Sequence, residues 1–249
     1  MLPSVKHFLL GTAVLVLAGI PARAATITQS VQFGPAQTDF NNATGSTSLQ
    51  YFNTSLGTLN SVTFSSTYGF ASLVTLSAGG SASSGSVSTE SAAQFGSTDS
   101  AITGVLNSAV NRAGSVVVGG RSLSPAAYDL MGDRSSYSLA PGTAGQYASN
   151  NSGSTGPFTD TNMADLTAFF RAGGGSFGVV FNTLTGLNLI QSGGNVSGSQ
   201  VTQGAATLNI TYNYTAAVAP VAVTPEPSSL LLLGTGALGV LGAARRRFV

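Results

Sequence analysis

Few side chains in this chain can do acid–base or metal chemistry. Of its 249 residues 7% are charged, with nine Lys+Arg against eight Asp+Glu, no Cys, no Trp and one His. Between residues 25 and 224 the acids are Asp39, Glu90, Asp99, Asp129, Asp133, Asp160 and Asp165, and the bases are Arg112, Arg121, Arg134 and Arg171. Seven acids against four bases leave that stretch at −3. Lys6 and His7 lie ahead of it, so Ser–His–Asp, Cys–His and Ser–Lys arrangements cannot be assembled there, and the usual general base at neutral pH is missing. The lack of Cys excludes thiolate-bound zinc, iron–sulfur clusters and disulfides. A nucleic acid needs a basic surface, which this balance does not supply. Two carboxylates can hydrolyse a glycoside, and Asp129 with Asp133 or Asp160 with Asp165 are the nearest pairs. Aspartate at a turn more commonly bonds its own backbone, so the composition points away from an enzyme.

Binding chemistry has more material. Asp129, Asp133 and Asp160 could meet loop carbonyls around a Ca²⁺ ion, although no D-x-D-x-D-G loop is present and Arg134 could pair with Asp133 instead. Tyr128, Tyr137 and Tyr147, set among Ser, Gly and Asn, could stack on sugar rings or could tack their segment onto the core. Thr207, Asn209, Thr211, Asn213 and Thr215 form a regular polar ladder that could order water, bind ice or contact glycans. It is equally the solvent face of a strand whose other face is Leu208, Ile210, Tyr212 and Tyr214. One ladder with no repeat beside it is a weak signal for ice. Gly173–Gly178 fits G-x-G-x-x-G, but a strand follows where a dinucleotide site needs a helix.

The elements that must position these groups are strands. Val62, Phe64, Ser66, Tyr68, Phe70, Ser72, Val74 and Leu76 occupy alternate positions, a period-2 face that a break near Tyr68-Gly69 would divide into two strands. Ile27, Val31 and Phe33 alternate with Thr26, Thr28, Ser30 and Gln32. Segments 115–118, 177–182, 187–190 and 208–214 read as further strands. Gly, Ser and Asn clusters at 78–86, 147–156 and 192–199 read as separators, and 122–156 as a long insertion. One short helix is expected over 161–170. Many short strands with one apolar face predict an all-β, antiparallel β-sandwich, jelly-roll-like, over residues 25–216.

Apolar segments flank that domain. Lys6 and His7 precede an uncharged run from Phe8 to Ile20, and Ala22-Arg23-Ala24 supplies the small–x–small site of a secretory signal. Signal peptidase is expected to remove 1–24 and leave Ala25 first. Residues 217–227 read as a linker that ends in Pro225-Glu226-Pro227, and 228–249 as an apolar helix closed by Arg245, Arg246 and Arg247. The Arg cluster would stay cytoplasmic and the domain would lie outside, with the helix as a transmembrane anchor in the inner membrane.

Pro-Glu-Pro, an apolar helix and an Arg cluster, in that order, resemble the PEP-CTERM sorting signal of Gram-negative bacteria that make extracellular polysaccharide. The resemblance implies an exosortase as partner, cleavage near Pro225-Glu226-Pro227, and residence at the cell surface or in the exopolysaccharide matrix. The domain is similar to the choice-of-anchor E type. The residues that carry this likeness are Phe52-Asn53-Thr54-Ser55-Leu56-Gly57-Thr58-Leu59 leading into Val62, Asp165-Leu166 with Phe169 before a glycine run, and the closing Thr-Tyr-Asn-Tyr. That likeness implies a surface β-sandwich without an established reaction. The expectation is a structural or adhesive protein, the alternatives being a carbohydrate-binding module or, further off, an ice-binding protein or a glycan hydrolase.

Overall fold

The computed structural model describes residues 23–38, 47–112, 114–118, 120–126, 128–132, 134–218 and 227–246. Ala22, Asp133, Pro225, Glu226 and Arg247 lie outside the described residues, as do the side chains of Tyr128, Asp129 and Pro227. In chain order β1 is Ala24–Gln37, β2 Ser48–Gln50 and β3 Phe52–Asn53. A 3-10 turn at Thr54–Leu56 leads into β4 (Gly57–Ala78) and β5 (Ser83–Ser97), followed by helix α1 (Ser100–Ala109). Then come β6 (Gly114–Val118), β7 (Arg121–Ala126), β8 (Tyr128–Met131), β9 (Ser135–Leu139) and β10 (Ala144–Asp160). Helix α2 (Met163–Leu166), β11 (Phe170–Arg171), β12 (Ser176–Gly193) and β13 (Val196–Ala216) complete the domain.

Two main antiparallel sheets form the sandwich, beside a short parallel pair of β3 with β11 and a β6–β7 hairpin. One main sheet has the order β1-β13-β4-β10, and the other β2-β12-β5 with β8 and β9 both on β5. Their inner faces meet on one apolar cluster, to which β4 gives Val62, Phe64 and Phe70, β13 gives Leu208, Ile210 and Tyr212, and β12 gives Phe177, Val179 and Phe181. Ile102, Val105 and Leu106 of α1 close one end of it. The alternation read from 62 to 76 is the inner face of β4, but Tyr68-Gly69 does not interrupt it, because both neighbours hydrogen-bond straight through that point.

A smaller cluster, Val74, Leu76, Val87, Tyr137 and Leu139, occupies the other end of the sandwich. Between the two, the strands turn buried hydroxyls inward: Ser72 on β4, Thr89 and Ser91 on β5, Thr183 and Thr185 on β12, Thr202 on β13. Ser72 pairs with Thr202 at 2.8 Å, Thr89 with Ser149 at 3.2 Å and Thr185 with Thr38 at 3.0 Å, whereas the Ser91 hydroxyl finds no partner among the described residues. Pairing is what makes a polar layer tolerable in a dry interior.

Two segments read as separators are paired strand. Residues 147–156 lie inside β10, in register with β4, and most of 192–199 belongs to β12 and β13. The expected helix over 161–170 contracts to α2, capped by Asn162, whose side chain accepts from the Ala164 amide. Helix α1 was not expected. Its start is fixed by Asp99, whose carboxylate accepts the Ala101 amide at 2.9 Å.

Residues Val218–Val249 cluster as a second unit, separate from Met1–Ala217. Its helix α3 spans Pro227–Arg245 and carries exposed Leu231, Leu232, Leu233, Leu238 and Leu241. The transmembrane expectation is corrected here: among the described residues no helix is long and apolar enough to cross a membrane. Nineteen residues make about 28 Å of helix, and Gly234, Thr235, Gly236, Gly239 and Gly242 dilute its leucines.

Candidate functional site

The two sheets differ in what covers their outer sides. On the sheet built around β5 and β12, the β6–β7 hairpin lays Val116, Val118 and Ala126 over Ala92 and Leu184. The outer side of β1-β13-β4-β10 carries no such layer among the described residues. There the polar ladder on β13 has neighbours on both sides. Thr28, Thr211, Thr63 and Thr159 stand level on β1, β13, β4 and β10. The next ranks are Thr26, Asn213 and Ser61 on one side, and Ser30, Asn209 and Ser65 on the other, followed by Gln32, Thr207, Thr67 and Ser154. Strand geometry sets the mesh, about 4.8 Å between strands and about 6.8 Å between successive side chains on one face.

Side-chain hydrogen bonds hold these groups in place. The Thr28 and Thr211 hydroxyls are 2.9 Å apart, and those of Thr63 and Thr159 are 3.0 Å apart. The Asn213 amide donates to Ser61 at 3.0 Å and to Thr63 at 3.3 Å, and Asn209 donates to Ser65 at 3.4 Å. Asn60 donates to Thr215 at 2.9 Å. The four strands carry one charged residue, Asp160, which stands level with inward-facing Val62 and accepts the Asn162 amide at 2.8 Å. A depression of about 310 Å³ interrupts the face where Gly34, Gly69 and Ala205 lack bulk, bordered by Gln32, Thr67 and Thr207. Beyond it Val201 and Leu73 stand in register, 55% and 44% exposed, so the far end of the face is apolar. The ladder on β13 was legible in sequence, but its partners depended on the register of three other strands.

The other expected sites fare differently. Tyr137 is only 4% exposed and meets Tyr147 edge-on at 6.3 Å within the smaller cluster, so these two rings tack their segment to the core. Of the two readings left open for these rings, the packed one describes Tyr137, while Tyr147 is half-buried on the same cluster beside Val74 and Leu76. Tyr128 and Asp129 fall on β8, level with Ala93 and Ala92 of β5. Asp160 and Asp165 both engage Asn162, the first through its amide N–H and the second through its side chain at 3.0 Å, which makes them parts of a helix start. Among the described residues no group of three His, Asp or Glu is gathered for a metal. Gly173–Gly178 runs into β12, the strand that the motif reading expected.

A polar cluster not anticipated from the sequence joins Asp99, Tyr51 and Arg171. The Tyr51 hydroxyl donates to Asp99 at 2.8 Å, Arg171 donates to the same oxygen at 3.1 Å, and its guanidinium lies 4.5 Å from the Tyr51 ring centre. The Tyr51 hydrogen bond, aided by the Ala101 amide and Arg171, outweighs burial and holds the Asp99 carboxyl below its ordinary range. Burial, then Asp99, raises the Tyr51 phenol. All three groups are spent on each other, and the cluster fastens the start of α1 to β11 and the β2–β3 segment. Only its long-range partners were illegible; Asp99 with Ile102, Val105 and Leu106 is an N-cap followed by helical spacing.

A protein-family model matches residues 223–247, and its description is the PEP-CTERM protein-sorting motif. The tail is a PEP-CTERM motif. It supports an exported protein that an exosortase sorts to the cell surface. No curated protein and no solved structure matches the chain. The PEP-CTERM match takes in Pro225, Glu226, Pro227 and all three residues of the Arg cluster, and α3 lies wholly within it.

Proposed function

We propose that this protein acts, without catalysis, as a structural or adhesive component of the cell surface or exopolysaccharide matrix. In this reading it contacts neutral polysaccharide through the outer face of β1-β13-β4-β10. The observation that carries the reading is the uncharged, cross-bonded array of Thr, Ser and Asn on that face. Hydroxyls and amides fixed by their neighbours can exchange hydrogen bonds with sugar hydroxyls at little cost in side-chain freedom. Export would begin with signal peptidase cutting between Ala24 and Ala25, which shortens β1 by one residue. Sorting would end with cleavage near Pro225-Glu226-Pro227, beyond the last strand residue Ala216. The domain is of choice-of-anchor E type in this proposal, with no cofactor and no resident Ca²⁺.

The test is co-sedimentation of the domain, residues 25–216, with neutral and anionic polysaccharides at low and high salt. Apart from Ala24, all strands lie within those residues, as do the apolar clusters. Retention by neutral polymer that is indifferent to salt is expected; binding confined to anionic polymer and lost in salt would overturn the reading. Intact-mass analysis of the native product checks both cuts.

Ice binding is a second reading, favoured by one observation: the Thr28, Thr211, Thr63 and Thr159 rank supplies the neighbouring ladders that a single strand lacks. Thermal hysteresis and faceted ice crystals would select it over the first. The lectin-like reading of the 122–156 insertion loses Tyr137 as an exposed platform, and Tyr147 is half-buried.

A further inference from the structure

The four-stranded sheet ends in β1 on one side and β10 on the other. Among the described residues no backbone hydrogen bond joins the outer edge of β1, or of Ala144–Ser154 in β10, to a further strand. Gln29 of β1 does reach β2, but through its side chain, which accepts from the Gln50 amide at 2.6 Å and donates to its carbonyl at 2.9 Å. Sheet edges are normally blunted by charge, proline or a bulge, because unpaired N–H and C=O groups recruit further strands. Here the bulges come late, between Phe33 and Ala36 on β1 and between Thr155 and Phe158 on β10. The runs before them, Ala24 to Phe33 and Ala144 to Thr155, contain no charged residue and no proline.

Strand direction selects the occupant. Each pairing from β1 through β13 and β4 to β10 is antiparallel, so the two edges run in opposite senses. The β10 edge of one copy therefore receives the β1 edge of another and continues the same alternation. We propose that this domain assembles head to tail with further copies of itself through β10-to-β1 strand addition, forming a continuous sheet. The two surfaces are unlike, so the contact is heterologous and does not close after two copies. A second copy fits better than a charged partner, since neither run carries charge to be recognised. Both faces of the sheet stay where they are, and the polar face of one copy runs on into the next. The proposal does not depend on what that face binds.

The test is sedimentation of the domain, residues 25–216, over a wide concentration range, with far-UV circular dichroism confirming the fold of every variant. The wild-type chain should give a ladder of species that lengthens with concentration. Thr28→Lys with Ser30→Lys should block one edge, Asn150→Lys with Ser152→Lys the other, and each variant alone should sediment as a monomer. All four positions are exposed, and single Ser30→Lys and Ser152→Lys chains serve if a double variant misfolds. An equimolar mixture of the two blocked chains should form dimers and nothing larger, because one good β1 edge then meets one good β10 edge. A wild-type chain that stays monomeric throughout overturns the proposal. A chain blocked at one edge that still dimerises by itself, or a mixture that stays monomeric, does the same.

Discussion

The side-chain hydroxyls of Thr28 and Thr211 lie 2.9 Å apart on adjacent strands, in the middle of a face where no charged residue stands. Thr211 is flanked on its other side by Thr63, so a lysine there would place a solvated ammonium within the central rank. Thr211→Lys should leave the melting temperature within a few degrees of wild type, since surface changes of this kind stay near 0.5 kcal/mol. Retention on neutral polysaccharide should fall at least about tenfold, or about 1.4 kcal/mol. Parallel melting and co-sedimentation measurements check both outcomes.

Tyr137 makes the opposite prediction. Its ring is buried against Tyr147, and its hydroxyl finds no hydrogen-bond partner among the described residues. An unpaired buried hydroxyl costs about 1–3 kcal/mol, so Tyr137→Phe should be neutral or stabilise the domain by about 1 kcal/mol in urea unfolding. Loss of polysaccharide binding in that variant would return Tyr137 to the surface role that its burial argues against.

Asp99 links stability to acid. Its folded pKa is depressed below the ordinary 3.8, chiefly by the Tyr51 hydroxyl. A depressed carboxyl contributes stability that is fully present above its unfolded value and is lost as pH falls through the lower folded one. Asp99→Asn keeps a good helix cap but removes the charge, so it should flatten the stability profile below about pH 4. Asp99→Ala should cost a further ~1 kcal/mol at neutral pH through loss of the cap. Urea titrations from pH 2 to pH 7 would show both effects.

Phe64 is completely buried, its ring 5.6 Å from that of Phe169 in the larger cluster. Phe64→Ala should destabilise the domain by about 3–5 kcal/mol, a large share of what a single domain possesses. Reduced yield and a lower urea midpoint with an unchanged slope are the expected readout.

Hydrophobic alternation carried most of what the sequence revealed, and it failed where burial was not apolar. The inner face of β4 was readable residue by residue because Val62, Phe64, Phe70, Val74 and Leu76 recur every second position. β10 was not, since its inward residues Gly145, Ser149 and Gly153 are small or hydroxylated and imitate a loop. Gly153 stands level with Tyr68, whose ring takes up the space a side chain would need. The candidate face shows the same division. Thr207 to Thr215 announce one ladder, whereas the rank joining Thr28 to Thr159 exists only through pairings made far apart in the chain.

Ala24 opens β1 directly opposite Thr215, near the close of β13. The two ends of the folded domain are thus one strand spacing apart, about 4.8 Å. A short peptide joining Ala216 to Ala24 would close the chain into a ring, and new ends could then be cut at the exposed turn around Gly142. Such a circularly permuted domain would keep the sheet order while carrying its fusion partners at the opposite pole, which makes the sandwich an adaptable scaffold for display.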